Sequence, residues 1–515
     1  MKTLKVKFLE VEAGGKPVVV MNREDAEDIG VTSLGRVNVK FGGREVTAIV
    51  NTTTALIDVG VLGLYDEVRR ALNIMEGETV EVEIAPFPTS VHFIRNKLRG
   101  RKLTYHEVLE IVEDAVKGNL SEIEIAAFVT ALHIFGLDLD EANSLSKAMV
   151  ETGNVLELDR YPILDKHSIG GVPGDKTTLL VVPIIASCGF TIPKSSSRAI
   201  TSAAGTADRA EVLMPVNLNL EEMREVVEKT NGCIVWGGSL YLAPADDIFV
   251  RVEHPLSIDP LLLPSIMSKK KAVGADMLVV DIPCGRGTKV KTIGEADLLA
   301  KDFIELGGRL GIKVQCAVTY GEQPVGYAVG PALEAMEALN VLAGRSAVPD
   351  LVDKATDIAG ILLEMAGVES GKEIAVNSLK SGKAEAKLRE IIEAQGGNPK
   401  IDPSEITLGE KKLTFNSEKD GYVLWIDNTF LVEVARLAGA PKDKGAGILL
   451  HKKIGDPVKR GDPLFTIYAE KSVKLQRALK ILEENTFVGV GDRMEMLIHE
   501  VKERPVTKRA FTLER

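Results

Sequence analysis

The chain has 515 residues, more than one compact core normally serves, and predicts about three domains of ~150 residues. Hydrophobic residues make up 45% and charged residues 27%, the balance of a globular protein. With 63 basic against 74 acidic side chains the net charge is −11, which excludes a general nucleic-acid binder built on a basic surface and leaves room for a local cationic pocket.

Cys188, Cys233, Cys284 and Cys316 form no Cys-x-x-Cys pair and have no clustered histidines near them, so no metal site is expected. They read as buried thiols of a reducing cytoplasm. Met1–Lys7 runs straight into strand-like alternation, unlike a signal peptide. The most apolar run, Leu179–Ala186, is far short of the ~20 residues that span a bilayer, so no membrane association is expected.

Residues 1 to about 85 read as strands. Lys2–Val11, Lys16–Met21, Gly35–Phe41, Glu45–Asn51 and Glu78–Ile84 are rich in β-formers and bounded by Gly or Asn. Asn22–Gly30 and Asp66–Leu72 suit short helices, and Phe87-Pro88 marks a boundary. The pattern then turns helical. Thr104–Val116, Ser121–Phe135 and Asp140–Thr152 repeat apolar residues at i, i+3 and i+4. Thr104 with Glu107 and Ser121 with Glu124 have the spacing of capping boxes. From about Ile163 glycine loops, helices and apolar strands alternate. Leu278–Ile282 and Gly311–Thr319 read as strands, Asp297–Leu310 and Pro331–Leu342 as helices, which implies parallel β–α units. Residues from about Leu413 on read as a further α+β region, with turns at Ile454–Val458 and Gly461–Pro463.

Four segments carry chemistry. Lys166-His-Ser-Ile-Gly-Gly-Val-Pro-Gly-Asp-Lys-Thr-Thr178 precedes an apolar helix, Leu179–Cys188. Its glycines turn main-chain N–H groups toward an anion, the helix start adds partial positive charge, and Lys166 and Lys176 can neutralise the ligand. The spacing is not that of a Walker A loop. In Lys194–Asp208, hydroxyls from Ser195 to Ser202 surround Arg198, a side chain that can grip a phosphate in a fork. Arg251–Asp259 leads into Pro264–Lys271, where a helix sets Ser265 and Lys269 on one face. Cys284-Gly-Arg-Gly-Thr-Lys289 follows a strand directly, where ligands of parallel α/β sheets bind.

The order and spacing of KHSIGG…GDKTT, SSRAITSAAGTAD, PSIMSKK and EQPVGYAVGPALEA (Glu322–Ala335) resemble the thymidine and pyrimidine nucleoside phosphorylase family. About 85 extra residues precede the helical region, and Thr201-Ser-Ala-Ala204 replaces the residues typical of the pyrimidine enzymes. Both departures resemble the archaeal AMP phosphorylase branch. The resemblance implies an α/β multidomain protein. A double-psi-like β-barrel would span 1–86, and a helical domain 87–160, completed by about 235–272. A large α/β domain with a central mixed sheet would span 161–234 and 273–412, and an α+β part 413–515.

It further implies a cytoplasmic pentosyltransferase of nucleotide degradation that converts AMP, with other nucleoside 5′-monophosphates as further candidate substrates, with phosphate to free base and ribose 1,5-bisphosphate. Inorganic phosphate is the co-substrate and no other cofactor or metal is implied. A homodimer is expected, with higher assembly through the N-terminal domain. By that match Lys166, Ser168, Gly170, Gly171, Ser196 and Thr206 bind phosphate. Gly171, Ser197, Arg198, Ala199, Ile200, Thr201, Ser202 and Thr206 bind the nucleotide. Ser265 and Lys289 match further ligand contacts, with Lys269 one turn from Ser265. Asp259 matches the proton donor, with Glu253 as the other acid in reach, and burial beside Ile258, Leu261 and Leu262 is expected to raise its pKa. A nucleoside phosphorylase, a Mg²⁺-dependent phosphoribosyltransferase of related fold and a non-catalytic relative remain as alternatives.

Overall fold

The computed structural model describes residues 1–199, 202–483 and 485–492. It divides into two compact units, one of Met1–Asp159, Gly237–Ala275 and Asp302–Lys313, the other of Arg160–Trp236, Asp276–Lys301 and Val314–Arg515.

At the N-terminus β1 (Lys2–Phe8), β2 (Val18–Asn22), β3 (Arg36–Phe41), β4 (Arg44–Thr53), β5 (Val61–Leu64) and β6 (Thr79–Ile84) form a closed barrel in the order β1-β5-β2-β4-β3-β6. Alternation drives it: Leu4, Val6, Val37, Val39, Val80 and Val82 all face the core. Closure removes the exposed edges that an open sheet would present. The strand at β5 escapes the sequence pattern because it has four residues with a glycine inside. A Cβ on Gly63 would lie 2.8 Å from Leu9 Cδ1, so a larger residue there would push the Leu9 side chain aside. Helices α1 (Arg23–Ile29) and α2 (Asp66–Leu72) cover the connections, and Asn22 caps α1 by accepting the Glu24 N–H.

Next come α3 (Ser90–Lys97), α4 (Tyr105–Val116), α5 (Glu122–Phe135) and α6 (Leu139–Glu151). Both expected capping boxes form, at Thr104 with Glu107 and at Ser121 with Glu124, each cap contributing about 1 kcal/mol. The chain then leaves for the second unit through β7 (Leu164–Ser168), α7 (Thr178–Ser187), β8 (Ile192–Ser196), α8 (Thr206–Ala210), α9 (Leu220–Thr230) and β9 (Gly232–Trp236). It returns through α10 (Gly237–Leu240), α11 (Pro244–Leu256) and α12 (Leu262–Ala272), which complete the helical core; Phe249 of α11 lies 5.8 Å from Phe128 of α5, ring to ring.

The chain continues with β10 (Met277–Cys284), α13 (Ile293–Leu310), whose residues from Asp302 on belong to the first unit, and, in the second unit, β11 (Lys313–Tyr320, from Val314), β12 (Ala328–Val329), α14 (Pro331–Leu342), α15 (Pro349–Met365), α16 (Gly371–Lys380) and α17 (Lys383–Ala394). Strands β7 and β10 pair in parallel, as do β8 and β9. Helix α7 is buried from Thr178 to Ala186, so the most apolar stretch of the sequence is a core helix packed on all sides. Among the described residues no helix is long and apolar enough to cross a membrane. The last part holds β13 (Lys411–Asn416), β14 (Gly421–Ile426), α18 (Asn428–Ala438), β15 (Gly447–Leu450), β16 (Pro457–Val458), β17 (Pro463–Ala469), α19 (Ser472–Leu482) and β18 (Val488–Gly491) around a core of its own. Residues 493–515, expected to end this part, lie outside the described residues.

Candidate functional site

Two lysines of the first glycine segment have different fates. Lys166 and Ser168 sit on β7, opposite Val279 and Asp281 of β10, so the segment opens on a strand that the sequence reading did not name. The strand shows no apolar alternation because its polar side chains are satisfied inside the protein. Lys166 is 2% exposed and donates to Thr177 Oγ1 at 2.9 Å. The Thr177 hydroxyl in turn donates to Asp175 at 2.6 Å. Lys354 of α15 bridges Asp175 at 3.2 Å and Asp281 at 2.8 Å, and Thr319 Oγ1 donates to Asp281 at 2.6 Å. Burial pushes the Lys166 ammonium below its usual pKa, against the pull of Asp175 and Asp281. Burial acts the same way on Lys354, but there the two carboxylates outweigh it and raise the pKa. Asp175 is held well below the carboxylate range because Lys354, Lys166 and Thr177 overcome its burial.

Lys176 does not serve an anion. It is fully buried, donates to the carbonyls of Val325 at 2.8 Å and Ala328 at 3.0 Å, and pairs with Glu337. Lys453 holds Gly326 O at 2.8 Å and Asp350 at 2.9 Å, and also binds the Pro324 carbonyl. The segment Glu322–Ala335 is therefore a structural seam fastened by two buried lysines.

Beyond β7, Gly170 and Gly171 have φ of +83° and +94°, which only glycine adopts without strain. A Cβ on Gly171 would stand 2.9 Å from the Lys289 nitrogen and 3.3 Å from Thr288 Cα. The two glycine loops thus touch, and Lys289 is exposed beside Gly171. A cleft of about 630 Å³ adjoins this junction, lined by Gly171, Val172, Pro173, Ser202, Gly287 and one face of α18.

The second segment begins on β8, where Ser196 Oγ donates to Val235 O at 3.0 Å. Asp208 accepts the N–H groups of Ala199 at 2.7 Å and Gly205 at 2.9 Å, folding the loop back on itself. Gly205 permits this, as a Cβ would meet the Ala199 nitrogen at 2.5 Å. Ala207 N–H donates to Ser197 O at 3.2 Å, and Thr206 opens α8 half-buried. Ser197 is exposed, while Ala199 and Ser202 are half-buried. Arg198 is not left open for a phosphate. Its fork meets Glu211 at 2.5 and 2.8 Å and Asp208 at 3.3 Å, above the Trp236 ring. The Arg198 hydrogen bond holds the Glu211 carboxyl at about 2. Ile200 and Thr201 lie outside the described residues.

The third segment belongs to the other unit. Asp259 is exposed between α11 and α12, contrary to the expected burial. Ser257, at φ +53°, ends α11, and Leu261 turns into the core, leaving Asp259 outside. Glu253, the other candidate acid, is 5% exposed and accepts the Leu261 N–H at 3.1 Å. Ser265 and Lys269 are one turn apart on α12 and half-buried. Lys269 is committed to the buried Asp246 at 2.5 Å, which with burial overcome raises its pKa. Asp175, Asp281, Asp208 and Lys354 are the site-forming residues that motif reading gave no role.

Three family models match the chain: a glycosyl transferase family helical bundle domain over residues 91–153, a glycosyl transferase family a/b domain over 160–385, and a pyrimidine nucleoside phosphorylase C-terminal domain over 422–488. The chain is 53% identical to the AMP phosphorylase of Thermofilum pendens, covering 99% of this chain and 100% of that one. It is 52% identical to the AMP phosphorylase of Thermococcus kodakarensis, covering 92% and 95%. Its identity to the AMP phosphorylase of Methanococcoides burtonii is 49%, covering 96% and 98%. Among solved structures, the anthranilate phosphoribosyltransferase of Thermus thermophilus shares the fold, with a TM-score of 0.51 at 22% identity over 59% of this chain and 98% of that one. Full-length identity at this level, on a chain whose two glycine loops meet beyond β7, leads to one assignment: the chain belongs to the AMP phosphorylase family.

Proposed function

We propose that the protein cleaves the N-glycosidic bond of AMP with inorganic phosphate, giving adenine and ribose 1,5-bisphosphate. The observation that carries this reading is the contact between the Gly170–Gly171 turn and the Thr288–Lys289 loop, just past the strand that carries Lys166 and Ser168. AMP phosphorolysis needs two anion sites one sugar apart, for the 5′-phosphate and for the attacking phosphate. Two glycine loops in contact supply main-chain donors for both, and Lys166 and Lys289 supply the charge. The Ser196–Thr206 segment adds hydroxyls and main-chain N–H groups, in a loop stiffened by Asp208 and Arg198.

Phosphate attacks C1′ as the C–N bond stretches and positive charge grows on the sugar. The attacking phosphate, negatively charged and held by Lys166, offsets that charge. The departing adenine takes a proton at N7, and Asp259 is the donor in this proposal. General acid catalysis of this kind needs the carboxyl within hydrogen-bond reach of N7 as the base departs. Ser265 lies on the helix that follows Asp259 and serves the nucleotide, whereas Lys269 steadies that helix through Asp246. The assembly in this reading is a homodimer formed through the helical domain, which exposes Ile123, Ile134 and Phe135.

The test is phosphate-dependent base release from AMP, CMP, UMP, adenosine and thymidine. AMP is expected to lead, with adenosine sharply weaker because one anion site goes unused. Equal turnover of adenosine and AMP defeats the nucleotide reading, and a preference for thymidine replaces it with nucleoside phosphorolysis.

A further inference from the structure

Asn428, the first residue of α18, is 2% exposed and lines the cleft with Gly171, Ser202 and Gly287. Its Nδ2 donates to the Gly321 carbonyl at 2.8 Å, while its Oδ1 is buried and has no hydrogen-bond partner among the described residues. The reverse amide orientation would set two carbonyl oxygens against each other, so the Gly321 contact fixes the open atom as an acceptor. The residue is also fixed from the side of the fourth segment: a Cβ on Gly287 would lie 3.5 Å from Asn428 Cβ. Two N–H groups of the first turn of α18 already have an anionic acceptor, since the Asp427 carboxylate accepts those of Thr429 and Phe430 at 2.9 and 3.0 Å. The helix end is therefore no anion site. Among the described residues that helix end holds one unsatisfied acceptor, Asn428 Oδ1, closed to solvent in a residue that lines the cleft, and such a group costs free energy until a donor reaches it.

The position of that acceptor narrows the donor. It borders the same cleft as Gly171, at the junction of the two anion loops. In a nucleotide whose 5′-phosphate and anomeric carbon each face a phosphate site, the part between those sites is the sugar. The donors a ribose carries there are its 2′- and 3′-hydroxyls. Resting on the phosphorolysis reading above, we propose that Asn428 Oδ1 accepts a hydrogen bond from a ribose hydroxyl of the nucleotide, so that α18 discriminates ribonucleotides from deoxyribonucleotides.

The experiment is calorimetry of AMP, 2′-deoxy-AMP, 3′-deoxy-AMP and IMP on the wild-type protein, Asn428→Ala and Asn428→Asp, without phosphate. The wild-type protein is expected to bind AMP about tenfold more tightly than one of the deoxy analogues, the size of one hydrogen bond. Asn428→Ala is expected to lose that ratio, and Asn428→Asp, in which an oxygen replaces the donor to the Gly321 carbonyl, to keep no more of it than Asn428→Ala does. The ratio is taken within each protein, so a packing defect that weakens every nucleotide alike leaves it unchanged. An unchanged ratio in Asn428→Ala overturns the proposal. So does a loss confined to AMP against IMP, which would assign the atom to the exocyclic amine. Adenine release is measured separately, so failure of the reaction and failure of the hydroxyl contact are distinct results.

Discussion

Asp259→Asn is expected to lower kcat for AMP phosphorolysis by about 10²–10⁴-fold, the usual worth of general acid catalysis, with little change in affinity for AMP. The amide has the shape of the carboxyl and can still hydrogen-bond, but it cannot hand a proton to N7. Asp259 is exposed, so the substitution should move stability by no more than about 0.5 kcal/mol. A nucleotide already methylated at N7 leaves without needing that proton. Its turnover should therefore be the same in the variant and the wild-type protein. Unchanged AMP turnover in Asp259→Asn removes the residue from the role. An equal loss on the methylated nucleotide assigns it to binding or shape instead. Glu253 is a poor substitute in either case, since its carboxyl already holds the Leu261 N–H inside the helical core.

Local chemistry was legible in the sequence; commitments made across the chain were not. The capping boxes at Thr104 and Ser121 need only residues three apart, and both formed. Gly170 and Gly171 announced tight backbone, and each has a positive φ that demands glycine. Cations were the difficulty. A lysine or arginine among glycines and hydroxyls reads as an anion ligand, and its carboxylate partner is invisible until the fold delivers it. Arg198 is taken by Glu211, thirteen residues on. Lys176 is taken by Glu337 on α14 and by carbonyls of the Glu322–Ala335 segment. Lys166 kept its expected role in the proposal, yet its surroundings come from α15 and β10, which no motif connects to it. β5 was missed for a related reason: four residues interrupted by Gly63 become a strand only because β1 and β2 flank them.

The largest stability effect is expected at a residue that touches no ligand. Lys354→Met leaves Asp175 and Asp281 buried without the ammonium that bridges them, and breaking a buried pair in this way costs about 3–5 kcal/mol. Urea denaturation at neutral pH measures it. In the wild-type protein the depressed pKa of Asp175 contributes stability above the unfolded carboxylate value of about 3.9, and that contribution is lost as pH falls. Without Lys354, burial acts on Asp175 with less opposition, so its pKa rises and protonation relieves the unpaired charge. The gap between wild type and variant should therefore narrow on acidification. Adding Asp281→Asn to Lys354→Met should recover part of the loss at neutral pH by removing one of the stranded charges. The same substitution should also raise the KM for phosphate, because Asp175 and Asp281 then compete with the ligand for Lys166. A variant as stable as wild type at neutral pH, with an unaltered KM for phosphate, would mean that this buried network neither holds the α/β core together nor readies Lys166 for an anion.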